Sequence, residues 1–264
     1  MKIEIINRGR IWVDGGAMFG IVPYVFWSKV YQPNEKNCIS LNLNSLYIEK
    51  DSNKCIIDPG GGKSLGADYG FEESKPLLES LKTLGVQAHE ITHVFLSHLH
   101  TDHIEGLFDE KGGILFTNAR IVVTKKGLEE ALNPHPLVES DYYPPFIEPI
   151  STWSKLQILE EEKEILPDIT FCPAPGHTEG HAILIVKEES RKWFFFADLV
   201  PTLLHLKLPY ISSFDLFPKE TCDQKDRIFT KIENGDRGIF FHEPHYPLVE
   251  LVKEEKQVTY RQLE

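Results

Sequence analysis

The sequence predicts an α/β (α+β) fold built from two similar β/α halves, each covering one face of its sheet with helices. Three observations lead there. Short apolar runs rich in β-branched and aromatic residues recur along the chain. Capped helical stripes lie between them. The order of strands, helix, strand, helix then occurs a second time. A length of 264 residues suits one or two domains; the expectation is a single domain over 1–264, with 1–35 as an N-terminal arm.

The elements follow in order. Met1–Ile6 alternates like a strand. Asp14-Gly15-Gly16-Ala17-Met18-Phe19-Gly20 and the aromatic stretch to Trp27 read as loop, because glycine breaks both periodicities. An exposed Met-Phe-Trp surface would be adhesive, so this arm is expected to pack on the body or on a second subunit, as in a homodimer. Strands follow at 39–49 and 54–58, split by the turn signal Asp51-Ser52-Asn53. Asp58-Pro59-Gly60-Gly61-Gly62 breaks the chain sharply. Ser74-Lys75-Pro76 opens a helix striped by Leu77, Leu78, Leu81 and Leu84 and stopped by Gly85. Residues 91–97 read as a buried strand, and Ile104–Leu107 as the start of a short helix. A strand at 120–123 and a helix at 126–132 lead into 133–150, a Pro- and aromatic-rich irregular loop. Strands resume at Leu156, with the charge run Glu160–Glu164 as a hairpin tip. Further strands are expected at 168–172, 182–186 and 193–197, a helix at 218–233, and a last strand at 238–241.

Bulk charge and cysteine content disfavour some classes. The formal net charge of −12 repels nucleic acid and anionic membrane. Cys38, Cys55, Cys172 and Cys222 form no C-x-x-C pair. Together with an N-terminus lacking a signal-like apolar block, they read as reduced thiols of a cytoplasmic protein. No apolar run approaches the length of a membrane span.

The chemistry concentrates at His98-Leu99-His100-Thr101-Asp102-His103, three imidazoles and a carboxylate in six residues. Such groups are costly to bury without partners, and they suit a borderline cation that takes nitrogen and oxygen ligands. They follow a strand, where function-bearing loops emerge from a rigid scaffold. One tetrahedral ion needs fewer ligands and two ions need more, so further donors are sought after other strands. Pro173-Ala174-Pro175-Gly176-His177 offers His177. Phe194-Phe195-Phe196-Ala197-Asp198 ends a strand in Asp198. Ile239-Phe240-Phe241-His242-Glu243-Pro244-His245 offers His242, preferred over His245 because it directly follows the strand end. His93, His181 and His205 read as structural or supporting, with His205 also a candidate to line a pocket.

This order of motifs resembles the metallo-β-lactamase superfamily, and most of all its branch of N-acyl-homoserine lactonases and related hydrolases. Asp58-Pro59-Gly60 sits where that family has an Asp-x-Gly turn supporting the site. The resemblance implies a four-layer αβ/βα sandwich of two mixed β-sheets flanked by helices. It implies two divalent ions, by default Zn²⁺, with Mn²⁺, Fe²⁺ or Co²⁺ also compatible. His98, His100 and His177 would hold one, Asp102, His103 and His242 the other, and Asp198 would bridge them. The implied reaction is attack of a metal-bridging hydroxide on a lactone, ester or similar small acyl substrate, with Asp102 passing a proton to the leaving oxygen. Glyoxalase II-type thioester hydrolysis and phosphotriester hydrolysis are the rival activities. A metal-stabilised binding protein without turnover is the rival of another class. The chain departs from the lactonases at Thr101, where they often carry an aromatic, and at Pro201, where they often carry an oxyanion-stabilising Tyr. Tyr24, His205 and Tyr210 are the candidate substitutes.

Overall fold

The computed structural model describes residues 1–66, 69–255 and 257–263. The first stretch of chain runs β1 (Lys2–Asp14), α1 (Gly15–Phe19), α2 (Tyr24–Trp27), β2 (Cys38–Lys50), β3 (Asn53–Ile57), β4 (Glu72–Glu73), α3 (Leu77–Thr83) and β5 (His93–Phe95). It continues through α4 (Thr101–Ile104), β6 (Arg120–Thr124), α5 (Lys125–Leu132), α6 (Pro144–Ser151) and β7 (Leu156–Leu159). The remainder runs β8 (Lys163–Leu166), β9 (Ile169–Pro173), β10 (Ala182–Glu188), β11 (Arg191–Phe195), α7 (Pro218–Thr230), β12 (Arg237–Ile239), β13 (Leu248–Glu254) and β14 (Gln257–Gln262).

These strands make two mixed seven-stranded sheets, ordered β4-β1-β2-β3-β5-β6-β7 and β14-β13-β12-β11-β10-β9-β8. In the first, β3, β5, β6 and β7 run parallel, and β1–β4 and β2–β3 pair antiparallel. In the second, β11 and β12 run parallel and the other pairs antiparallel. The chain divides into two compact units, one of Met1–Ile11 with Asn42–Glu160, the other of Trp12–Leu41 with Glu161–Glu264.

In the first unit, Ile56, Ile57, Val94, Phe95, Ile121, Val122 and Val123 are buried without alternation. A central parallel strand is covered on both faces, so it reads as one apolar run. In the second unit, Ile183, Ile185, Phe194, Phe196, Phe240 and Val249 pack with Ile228 and Phe229 of α7 in one core. At roughly 1.5–3 kcal/mol for each fully buried large apolar side chain, these runs outweigh any single surface contact.

Several expectations need correction. Residues 15–19 and 24–27 are short helices, not loop. The Asp14 carboxylate caps the first by accepting from Ala17 N at 2.8 Å, and Gly15 is required there because a Cβ would strike the Trp27 ring. Phe19, Trp27 and Tyr31 of the arm are buried, with Trp27 and Tyr31 each stacked on Phe19, whereas Ile21, Tyr24, Val25 and Phe26 remain exposed. The short helix begins at Thr101, not Ile104, so the metal-type motif itself crosses from turn into helix. The irregular stretch 133–150 contains α6, because Pro144 and Pro145 suit a first helical turn and Phe146, Ile147 and Ile150 share a buried face. The charge run at 160–164 is no hairpin tip: β7 pairs within the first sheet and β8 within the second, so the run links the sheets. The 238–241 strand is not the last, since β13 and β14 form a further antiparallel pair at the second sheet's edge.

Candidate metal centre

In the first unit, β3 and β5 lie side by side and parallel, with Ile57 opposite Phe95. Both chains therefore leave the sheet at the same edge, where open α/β sheets place their ligand groups. Asp58 leaves β3 with a positive φ of 44°, a strained conformation held by what surrounds it. Its backbone N–H donates to Phe95 O at 3.0 Å. Its Oδ1 accepts from Ser97 N at 2.8 Å, and its Oδ2 accepts from Ser97 Oγ at 2.6 Å and from His103 Nδ1 at 2.8 Å. Ser97 Oγ, having given its proton to Asp58, accepts from His98 Nδ1 at 3.0 Å. This chain of bonds assigns the proton to Nδ1 in both rings, leaving each Nε2 lone pair for a cation.

His100 occupies the N-cap position of α4, and Asp102 and His103 lie within that short helix. The His98 ring lies 4.4 Å from that of His100 and 4.1 Å from that of His103, centroid to centroid. Asp102 Oδ2 is 3.7 Å from His103 Nε2. Tyr142 presents its ring edge-on to His100 at 4.9 Å.

In the second unit, His177 follows β9 in a tight turn. Gly176 has φ 143°, and any Cβ there would collide with the Thr221 backbone at the start of α7. Asp215 Oδ1 accepts from His177 Nδ1 at 2.9 Å, which turns Nε2 toward Asp198 Oδ2 at 3.5 Å. The other oxygen of the same carboxylate, Asp198 Oδ1, is 3.3 Å from His242 Nε2. Asp198 sits in a short 3₁₀ turn after β11, next to Ala197 with φ 44°. Its backbone N–H donates to His181 Nε2 at 3.1 Å, while His181 Nδ1 donates to Ala174 O at 3.1 Å. His181 is thus occupied on both nitrogens as a strut. His245 stacks on Tyr31 instead of turning to Asp198. The buried Glu243 accepts from Tyr31 OH, from Leu203 N at 3.0 Å and from His245 N at 2.8 Å, and so fixes the loop that carries His242.

The donor sets fit divalent cations. Two ligand atoms each about 2.1 Å from one tetrahedral ion stand about 3.4 Å apart. The separations of 3.3, 3.5 and 3.7 Å at Asp198 and Asp102 match this spacing. Imidazole nitrogen with carboxylate oxygen suits Zn²⁺, with Mn²⁺, Fe²⁺ and Co²⁺ compatible. The first unit gathers His98, His100, Asp102 and His103, and the second gathers His177, Asp198 and His242. Ser97 and Asp215, which orient the imidazoles of His98 and His177, carry no signal in the linear sequence: Asp215 is 38 positions from the ring it orients.

His205 is buried and not a ligand. Its Nδ1 accepts from Thr202 Oγ1 at 2.8 Å, its Nε2 donates to Met18 O at 3.1 Å, and it stacks on Phe19 at 5.1 Å. Burial pulls its pKa down to about 3. Between that value and the ordinary 6.5 the unfolded chain carries a proton that the folded chain refuses, so stability falls as pH drops through this window. His205→Phe removes that part of the loss, on the order of a few kcal/mol. It lowers stability at neutral pH but flattens the acid limb of a urea-midpoint profile between pH 6.5 and 4. A mutant limb as steep as the wild type's contradicts the assignment. Of the other proposed substitutes, Tyr24 packs edge-on against Trp27 and Tyr210 lies under the Lys207 ammonium.

Comparison with known proteins follows the same lines. The chain is 29% identical over 117 residues to an N-acyl homoserine lactonase of Bacillus thuringiensis, covering 44% of this chain and 41% of that protein. It therefore spans about two fifths of the length of these first curated relatives. A lactonase from a Bacillus species is 28% identical over 202 residues, 71% of each chain. A solved structure described as a probable metal-dependent hydrolase from Staphylococcus aureus is 28% identical with a TM-score of 0.90, covering 100% of this chain and 97% of its own. A dizinc quorum-quenching lactonase shares the fold at TM-score 0.81 and 21% identity, over 99% of this chain and 94% of its own. The metallo-beta-lactamase superfamily model matches residues 41–247, and the chain belongs to that superfamily.

Proposed function

We propose that the protein is a dinuclear metal-dependent hydrolase of lactones, carboxylic esters or similar small acyl substrates. The observation that carries this reading is Asp198, whose two oxygens face two different imidazoles at 3.5 and 3.3 Å. A carboxylate so placed is suited to serve two cations at once. His98, His100 and His177 are assigned to one ion, and Asp102, His103 and His242 to the other. When bound, such ions lower the pKa of a shared water and polarise an acyl carbonyl. The protein's own part is to fix the Nδ1 proton and the ring orientation so that Nε2 points outward, through Asp58, Ser97 and Asp215. Asp102 is partly exposed and directs one oxygen at His103 Nε2, and its carboxylate is assigned to pass a proton to the leaving oxygen. The relatives named as lactonases support the acyl class, and the net charge of −12 disfavours nucleic acid.

Purified protein is to be assayed for metal content and against γ- and δ-lactones, aryl esters, glutathione thioesters and phosphotriesters. The expected outcome is two divalent ions per chain and a kcat/KM for a lactone or ester well above that for thioester or phosphotriester, lost on chelation and restored by Zn²⁺. Preference for the glutathione thioester would replace the substrate class. Absence of any metal-dependent rate would leave a metal-stabilised binding protein.

A further inference from the structure

We propose that Lys225 is a positioning residue for His177: its buried amine ties the segment 207–216 to α7, and that tie keeps Asp215 where it aims the imidazole. The inference rests on His177 being a metal ligand, as proposed above.

Lys225 lies in the middle of α7 and is 0% exposed. Lysine is almost never fully buried without a reason, because its head is strongly hydrated. Here the head donates to Lys207 O at 2.9 Å and to Tyr210 O at 2.8 Å. One turn earlier on the same helix, Thr221 packs directly under Gly176. Between these two anchors the chain returns along the His177 turn: Leu216 N donates to His177 O at 3.1 Å and Phe217 N to Gly176 O at 2.8 Å. Asp215, adjacent to that pair, holds His177 Nδ1. Cys222 Sγ adds a weaker contact to Leu208 O at 3.7 Å. At its other side the segment is tied by Ser213 N to Ala17 O at 2.9 Å. The α7 face of Thr221, Cys222 and Lys225 is therefore a clamp on the loop whose acidic residue orients a ligand.

The chemistry of the amine fits this task. Burial pulls its pKa down to about 7, while the Asp215 carboxylate and Cys222 raise it against that trend. Ammonium and neutral amine both retain at least two N–H bonds, enough for two carbonyls. The clamp therefore holds in either protonation state, and an apolar side chain of equal length removes it in both. Its effect on the reaction passes through Asp215 and His177, without contact with substrate.

The test is a competitive zinc titration against a chromophoric chelator, run on wild type, Lys225→Met, Asp215→Asn, the double variant and His177→Ala. Circular dichroism confirms folding of each. Loss of a group that orients a ligand costs roughly 10- to 100-fold in metal affinity. Lys225→Met is expected to weaken zinc binding by about tenfold or more, and the double variant to be no weaker than the worse single one, because both act on one bond. Wild-type affinity in a folded Lys225→Met, or losses that multiply in the double variant, overturns the proposal. Lys225→Gln, too short to span both carbonyls, takes its place if the Met variant does not fold, with the same expected loss. Should wild type itself bind no zinc, the proposed function fails. Should His177→Ala weaken binding while Lys225→Met does not, the positioning role alone fails.

Discussion

Asp198→Ala is expected, on the proposed reading, to lower kcat/KM for the best acyl substrate by about a thousandfold or more. The side chain directs one oxygen to His177 Nε2 and the other to His242 Nε2, so a single truncation strips a donor from two positions. Metal ions at such sites supply several kcal/mol of charge stabilisation, and each 1.36 kcal/mol lost is about a factor of ten in rate. Bound zinc is expected to fall as well, since each ion loses a ligand. Asp198→Asn keeps the shape and one carbonyl oxygen, and should fall between the two. The decisive measurement is a matched pair of steady-state rates and metal contents. An alanine variant that keeps more than a tenth of the wild-type rate rules out a bridging role. The backbone N–H of Asp198 still reaches His181 in either variant, so the turn after β11 survives and the comparison is fair.

The second large effect belongs to Asp58. It is fully buried and accepts three hydrogen bonds, from Ser97 N, Ser97 Oγ and His103 Nδ1. Asp58→Ala leaves these three donors without their acceptor in a dry place and is expected to cost on the order of 3–5 kcal/mol of stability. Asp58→Asn separates packing from chemistry. The amide fills the same volume, but an N–H placed toward His103 would demand a lone pair at Nδ1 and so move the ring proton to Nε2. That turns a ligand nitrogen into a donor. The Asn variant should therefore stay folded while zinc affinity drops roughly 10- to 100-fold. Urea midpoints and chelator competition read the two quantities apart. A folded Asn variant with unchanged zinc affinity would remove Asp58 from the ligand-orienting role.

How much of this was legible follows from where each group lies in the chain. His98, His100, Asp102 and His103 were plain as a candidate metal-binding motif, because they sit within one strand-to-helix crossing and nothing about core packing asks for them there. His177, Asp198 and His242 were legible as polar residues placed just beyond buried runs, where packing alone would favour an apolar residue. His242 was preferred over His245 because it directly follows the strand end, and the geometry adds that His242 faces Asp198 while His245 stacks on Tyr31. The central strands were readable from β-branched runs buried on both faces. The β13–β14 pair was not, because an edge hairpin alternates apolar with charged residues, and that pattern blends into solvent-facing turn. The α6 helix was hidden by its prolines, which mark a break until Pro144 and Pro145 are known to open the first turn; Pro149 lies inside the helix.

Sequence by itself determined the superfamily, the strand-ending positions of the candidate metal-binding residues and the net negative charge. These are local properties: residue type, spacing and net charge survive without coordinates. Tertiary structure alone decided which carboxylate serves which imidazole, that Ser97 and Asp215 aim the rings, and that a lysine on α7 is buried against the stretch that precedes Asp215. Orientation depends on hydrogen bonds between residues 38 or 39 positions apart, and such partners become neighbours only when strands pair and helices pack.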